Sequence, residues 1–278
     1  MTPALFLSWL LVTGGASSPL SAPAGSFSPS ASGGILVFTR TTGFRHDSIP
    51  DGIAAVRRIA EESGLPVDAT EDPGAFTDGT LASYLAVVFL LTTGDVLDEA
   101  QQEAFERWAA AGGGWVGVHS ASDTEYDWPF YGRLVGAYFA GHPAVQPAAI
   151  RVEDRAHPAT SGLPETWLRT DEWYDFRANP RSSVHVLANL DETTYSGGAM
   201  GSDHPIAWCQ EMGTRAFYTA GGHTRESYTE PLFVSHLAGG IRWAAGLEPG
   251  YCGSTARAVP KPVTRVPKPT PRLVDPRG

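Results

Sequence analysis

The chain has 278 residues, 42% of them hydrophobic, and a formal net charge of −10. That is enough apolar material for one sizeable core, and the negative balance argues against nucleic acid as the main partner. After Gly253 six cations (Arg257, Lys261, Arg265, Lys268, Arg272, Arg277) face Asp275 alone, so the tail carries +5 and the remainder −15.

Residues 1–34 carry no charged side chain. Ala4–Val12 is an apolar run of signal-peptide length, too short to span a bilayer as a helix, and a Ser/Pro/Ala/Gly linker follows it to Gly34. No basic n-region precedes it, so the signal is atypical or translation starts upstream. The expectation is a secreted or cell-surface protein with no integral membrane span in the mature chain; the alternative is a disordered extension on a cytosolic protein. One domain is then expected over 35–250, followed by a basic, Pro-rich, disordered tail over 251–278.

Ile35–Thr39 reads as a buried parallel strand, and Ile53, Val56, Ile59 and Ala60 mark one face of a helix stopped by Gly64. Strands follow at Leu65–Ala69 and Leu85–Leu91, then a helix over about Asp98–Ala111, stopped by Gly112. Trp115–Val118 is the next strand, and a helix is expected over Pro129–Phe139. Strands alternating with helices of this length indicate a doubly wound parallel sheet. Residues 145–222 are strand-rich, with strands at Ala148–Val152, Val184–Leu190, Pro205–Gln210 and Arg215–Thr219. The last two flank a hairpin turn at Glu211–Thr214. A helix over about Pro231–Ala245 closes the domain. Cys209 and Cys252 lack C-x-x-C spacing; they could pair in an exported protein, and a buried free thiol at Cys209 is an equal reading.

Candidate chemistry gathers where strands should end. His46 follows the first strand, His119 the fourth and His223 the last. If those strands are parallel neighbours, the three imidazoles meet on one rim, where clefts of open α/β sheets bind ligands. The turn Gly117-Val118-His119-Ser120-Ala121 would lift His119 out of the sheet, and Gly-x-His-x-Ala departs from the Gly-x-Ser-x-Gly of a serine hydrolase. Glu172 lies among aromatics, where desolvation should raise its pKa and suit it to proton transfer; a salt bridge to Arg169 or Arg177 is the bland alternative. Asp123 either orients His119 or caps the next helix. Trp173, Tyr174, Trp128 and Tyr126 are candidate sugar-stacking rings, with core packing as the alternative. His204 is a substrate-binding candidate; with His142 and His157 it forms a set of His-Pro pairs at element boundaries. No cofactor is assured. A single divalent metal ion on His46, His119 and His223 is the candidate, although no H-x-H or H-x-x-x-H pair supports it.

Several stretches together resemble the ThuA-like family (trehalose-utilisation protein A): Thr41–Ile49, Gly117–Ala121, His157-Pro158, Gly162–Pro164, Asp171–Tyr174, Asp203–Trp208 and Phe217–His223. The resemblance implies an α/β fold, the flavodoxin-like or class I glutamine amidotransferase-like three-layer sandwich around a mostly parallel sheet, with added antiparallel strands in the C-terminal half. It also implies a link to the catabolism of disaccharides and their keto derivatives. Amidotransferase activity is not implied, because His119 stands where those enzymes carry the nucleophilic Cys. Two functions are therefore expected. One is a hydrolase or lyase acting on a glycoside or keto-sugar through the His/carboxylate site. The other is a non-catalytic carbohydrate-binding or scaffold protein. In both the partner is a small carbohydrate, and a homo-oligomer is compatible with either. The enzyme requires His46, His119, Glu172 and His223 to meet.

Overall fold

The computed structural model describes residues 33–253; the N-terminal apolar run and nearly all of the linker and tail lie outside them. In chain order the strands are β1 (Gly34–Phe38), β2 (Val67–Thr70), β3 (Tyr84–Leu90), β4 (Gly114–Val118), β5 (Phe139–Gly141) and β6 (Gln146–Val152). They continue with β7 (Thr166–Asp171), β8 (Asp175–Phe176), β9 (His185–Asp191), β10 (Pro205–Glu211) and β11 (Arg215–Thr219). The helices are α1 (Ile49–Glu62), α2 (Asp78–Leu81), α3 (Glu99–Ala110), α4 (Pro129–Val135) and α5 (Pro231–Ala244).

Nine strands form one sheet in the order β2-β1-β3-β4-β11-β10-β9-β6-β7. The half from β2 to β11 is parallel, and every pairing from β11 to β7 is antiparallel. The uninterrupted apolar runs of β1, β3 and β4 follow from burial on both sheet faces. Helices α1 and α5 touch each other and cover one face. On the opposite face, Phe105 of α3 and Tyr131 of α4 meet Phe89 of β3, and Tyr131 also meets Trp115 of β4. The result is the three-layer sandwich expected, with its antiparallel extension in the C-terminal half.

Local signals explain most boundaries. Asp98 and Gln101 form a reciprocal capping box that starts α3. Helix α4 is shorter than its sequence suggests. It ends at Gly136, whose φ of +84° reverses the chain, so Phe139 enters β5 instead. Cys209, on β10, is joined to Cys252 beyond α5 by a disulfide, which decides against the free thiol. Among the described residues no helix is long and apolar enough to cross a membrane.

Because β1, β4 and β11 run parallel, the loops after all three open on one rim of the sheet. Each of those loops carries a histidine.

Candidate functional site

Strand β4 delivers His119 at a sharp elbow. Its φ of +51° lies in the left-handed region that non-glycine residues seldom enter, and a 3-10 turn follows at once. Such backbone persists only where its surroundings hold it. Here buried hydroxyls do so: Tyr218 donates to the His119 carbonyl at 2.8 Å and Tyr131 to the Ala121 carbonyl at 2.7 Å. The elbow puts the His119 imidazole against Tyr174, with ring centroids 4.0 Å apart. Nδ1 of His119 lies 2.7 Å from the Ala220 carbonyl, an acceptor only, so Nδ1 carries a proton and Nε2 is the nitrogen turned to Glu172.

His223 sits just after β11, and Asp171 fixes its turn. That carboxylate accepts the backbone N–H groups of Gly222 (2.8 Å) and His223 (3.1 Å), and pairs with the buried Arg169 at 2.8 Å. Gly222 has φ +109°, a backbone suited to glycine. Ser48, immediately before α1, donates to the His223 carbonyl at 2.7 Å and ties this loop to the one carrying His46. Arg169 also reaches Glu230 at 2.9 Å. With Arg169 satisfied by Asp171 and Glu230, Glu172 faces the histidines instead.

The four residues meet. Glu172 Oε2 lies 3.3 Å from His119 Nε2 and 3.1 Å from His223 Nδ1, and those two nitrogens are 3.2 Å apart. The His46 ring centroid is 5.0 Å from that of His119 and 5.1 Å from that of His223. His142 completes the group: its Nδ1 is 3.0 Å from Glu172 Oε1 and 3.0 Å from the Pro143 carbonyl. Both partners are acceptors, so Nδ1 holds a proton, and Nε2 of the half-exposed ring is the nitrogen left without a protein partner among the described residues. Ser120 is buried, with Oγ 3.5 Å from His46 Nδ1.

The electrostatics differ from the expectation for Glu172. Burial does push its carboxyl up, but hydrogen bonds from His119 and His223, and their charges, outweigh it and hold the group well below the usual carboxylate range. Glu172 is thus an ionised acceptor, not a raised acid. Burial, reinforced by His119 and His223, drives His46 down to about 3, leaving it neutral at pH 7. For His223 burial acts downward, yet the Glu172 hydrogen bond and charge prevail and raise it.

The donor set suits a cation. His119 Nε2, His223 Nδ1 and Glu172 Oε2 converge, and each can offer a lone pair to an ion that displaces the protons between them. One ligand atom from each of His46, His119, Glu172 and His223 falls within 4.8 Å of the others. Three imidazoles and a carboxylate at that spacing match a divalent transition-metal site. Two other groupings do not. His157 lies by Cys209 and Cys252, whose sulfurs are in the disulfide; Asp175 and Glu192 accept the Ala199 and Met200 N–H groups, and both ring nitrogens of His204 face acceptors, Glu192 and the Tyr174 carbonyl.

Other expected site residues lie elsewhere. Asp123 does not orient His119, since its carboxylate accepts the Tyr126 hydroxyl. Tyr126 stacks on Arg177, whose guanidinium lies 4.0 Å over the ring. Trp128 is buried and donates to Glu106, Trp173 is buried and donates to the Gln146 carbonyl, and Tyr174 is buried against His119. These indoles are core, because a buried N–H must find an acceptor and these have found protein ones. His204, fully buried, binds Glu192 and the Tyr174 carbonyl, both at 2.8 Å, behind the cluster.

The family model described as "Trehalose utilisation" (ThuA) matches residues 34–244. The chain belongs to the ThuA family. Two solved structures share its fold. A ThuA-like protein from Bacteroides uniformis is 23% identical with a TM-score of 0.67, over 81% of this chain and 95% of that one. A second, from Parabacteroides merdae, is 23% identical with a TM-score of 0.63, over 76% and 90% of the respective chains. No curated protein matches the chain. The ThuA match takes in all five residues of the cluster, from His46 to His223.

Proposed function

We propose that this ThuA-family chain is an exported carbohydrate-acting enzyme, a hydrolase or lyase on a glycoside or keto-sugar, whose site is the His46–His119–Glu172–His223 cluster. The observation that carries the reading is the meeting of Glu172 with His119 and His223 at 3.3 and 3.1 Å, from three separate loops. A scaffold that had lost its chemistry would have no need to hold His119 at an unfavourable φ or to bury a carboxylate among imidazoles. The family's link to trehalose utilisation supports a sugar as substrate.

The cluster would hold one divalent ion through His46, His119, His223 and Glu172 Oε2. Bound there, such an ion supplies Lewis acidity toward a sugar oxygen. The protein's own groups do the rest. His119 is pre-set in one tautomer by the Ala220 carbonyl, and Glu172, ionised, keeps its Oε1 on His142. Breaking a sugar C–O bond needs one proton removed and one returned, and the half-exposed His142 imidazole beside Glu172 is placed to carry one. Export is supported by the disulfide, since such bonds persist in oxidising compartments, and by the apolar run Ala4–Val12.

The test is elemental analysis of protein purified without added metal, alongside turnover of trehalose and its keto derivatives with and without a chelator. The expected result is about one equivalent of metal per chain, lost together with turnover in His119→Ala. Sugar turnover unchanged by His119→Ala would overturn the site. Sugar binding with no turnover in the wild type would make the chain a binding protein.

A further inference from the structure

Of the aromatic rings expected to hold a sugar, Trp128, Trp173 and Tyr174 are buried and Tyr126 lies under Arg177, which leaves open what would face one. Two side chains at the cluster are exposed and touch it directly. Phe44 is 66% exposed, and its ring stands edge-on to His46 with centroids 4.8 Å apart. The His142 side chain is 40% exposed and touches Glu172.

A single exposed Phe on a surface needs no explanation. Phe44 differs in how its backbone is held. The Thr42 N–H and hydroxyl both donate to the Thr93 carbonyl, the Gly43 N–H donates to Thr93 Oγ1 at 3.2 Å, and Thr93 Oγ1 donates to the Phe44 carbonyl at 2.9 Å. Four hydrogen bonds to one residue fix the loop, so an apolar ring is presented to water from rigid backbone. Rigid presentation lowers the ordering cost of binding.

We propose that Phe44 and His142 form the pyranose subsite of the cluster, Phe44 stacking on a C–H face of the ring and His142 Nε2 hydrogen-bonding to a sugar hydroxyl. This rests on the carbohydrate reading above and adds how the sugar is held. A pyranose offers an apolar C–H face and a polar edge together, which is the pairing of groups found here. His142 has its Nδ1–H committed to Glu172 and Pro143, which leaves Nε2 as the ring atom that can meet a sugar hydroxyl, itself both donor and acceptor.

The experiment is saturation-transfer NMR on the full chain with trehalose, maltose and cellobiose as probes, with turnover kinetics on any disaccharide that reacts. Wild-type protein should transfer saturation to ring C–H protons of at least one. Phe44→Ala should weaken that binding about tenfold or more, the order of one aromatic contact, while Phe44→Trp keeps it. His142→Ala should also weaken binding, and metal content should stay at the wild-type level in all three variants. KM should rise in Phe44→Ala with kcat within about threefold. Binding and KM unchanged in Phe44→Ala, while His119→Ala still abolishes turnover, would overturn the subsite and leave the proposed function standing. No saturation transfer from wild-type protein to any of the three sugars would overturn it as well.

Discussion

Asp171 shows how much of the site depends on one side chain that touches no reactant. Its two oxygens hold the Gly222 and His223 N–H groups and the Arg169 guanidinium, so the carboxylate sets where His223 points. Asp171→Asn keeps the size but removes the charge beside a buried cation; the expected cost is about 3 kcal/mol of stability, read by urea unfolding. Turnover should fall at least tenfold, because a loosened His223 no longer meets Glu172. An unfolding midpoint equal to wild type would show that Arg169 is satisfied by Glu230 alone. At this scale the sequence was partly legible. His46, His119 and His223 could be placed because each follows a recognisable strand, and parallel strands send such residues to one rim. The pKa direction of Glu172 could not, since neighbouring aromatics are visible in sequence and converging imidazoles are not. His142 and Phe44 sit in loops whose contacts only the folded chain creates.

Strand β7 is the longest element that pattern reading missed, and its burial explains why. Trp167, Arg169 and Asp171 point inward while Leu168 is 75% exposed, so apolar and polar residues are nearly inverted relative to an ordinary half-buried strand. The inversion exists to carry the Arg169–Asp171 pair to the His223 loop. Helix α4, by contrast, was over-extended because Gly136 gave no signal strong enough to interrupt an apolar run. The disulfide acts on elements as well, pinning the segment after α5 to β10 across a separation of 43 residues. Chain-entropy reasoning puts such a cross-link at roughly 2–4 kcal/mol. Cys252→Ser should therefore lower the thermal midpoint clearly, and reducing agent should lower the wild type toward the same value. Equal midpoints with and without reductant would mean the bond contributes nothing.

Across the whole molecule, acid should be the weak direction. His236 and His157 are buried outside the cluster, and burial drives each down to about 4. The unfolded chain has these groups near about 6.5, so below that pH it takes up protons the folded chain refuses. Their stability contribution is complete above pH ~6.5 and is lost as pH falls toward 4, at up to about 1.4 kcal/mol per pH unit for each. Denaturant midpoints measured from pH 7 to pH 5 should fall accordingly, and His236→Gln should flatten the slope. A pH-independent midpoint in the wild type would show that both imidazoles reach water.

The elbow at β4 has a further consequence. Imidazole there, and both cysteines of the chain bound to each other, leave the cluster with no sulfur to oxidise or alkylate. Peroxide or iodoacetamide, which silence a cysteine at such a turn, would find no thiol to attack in this one. Vulnerability passes to reagents that acylate imidazole, such as diethyl pyrocarbonate, with the exposed His142 modified ahead of the buried His119.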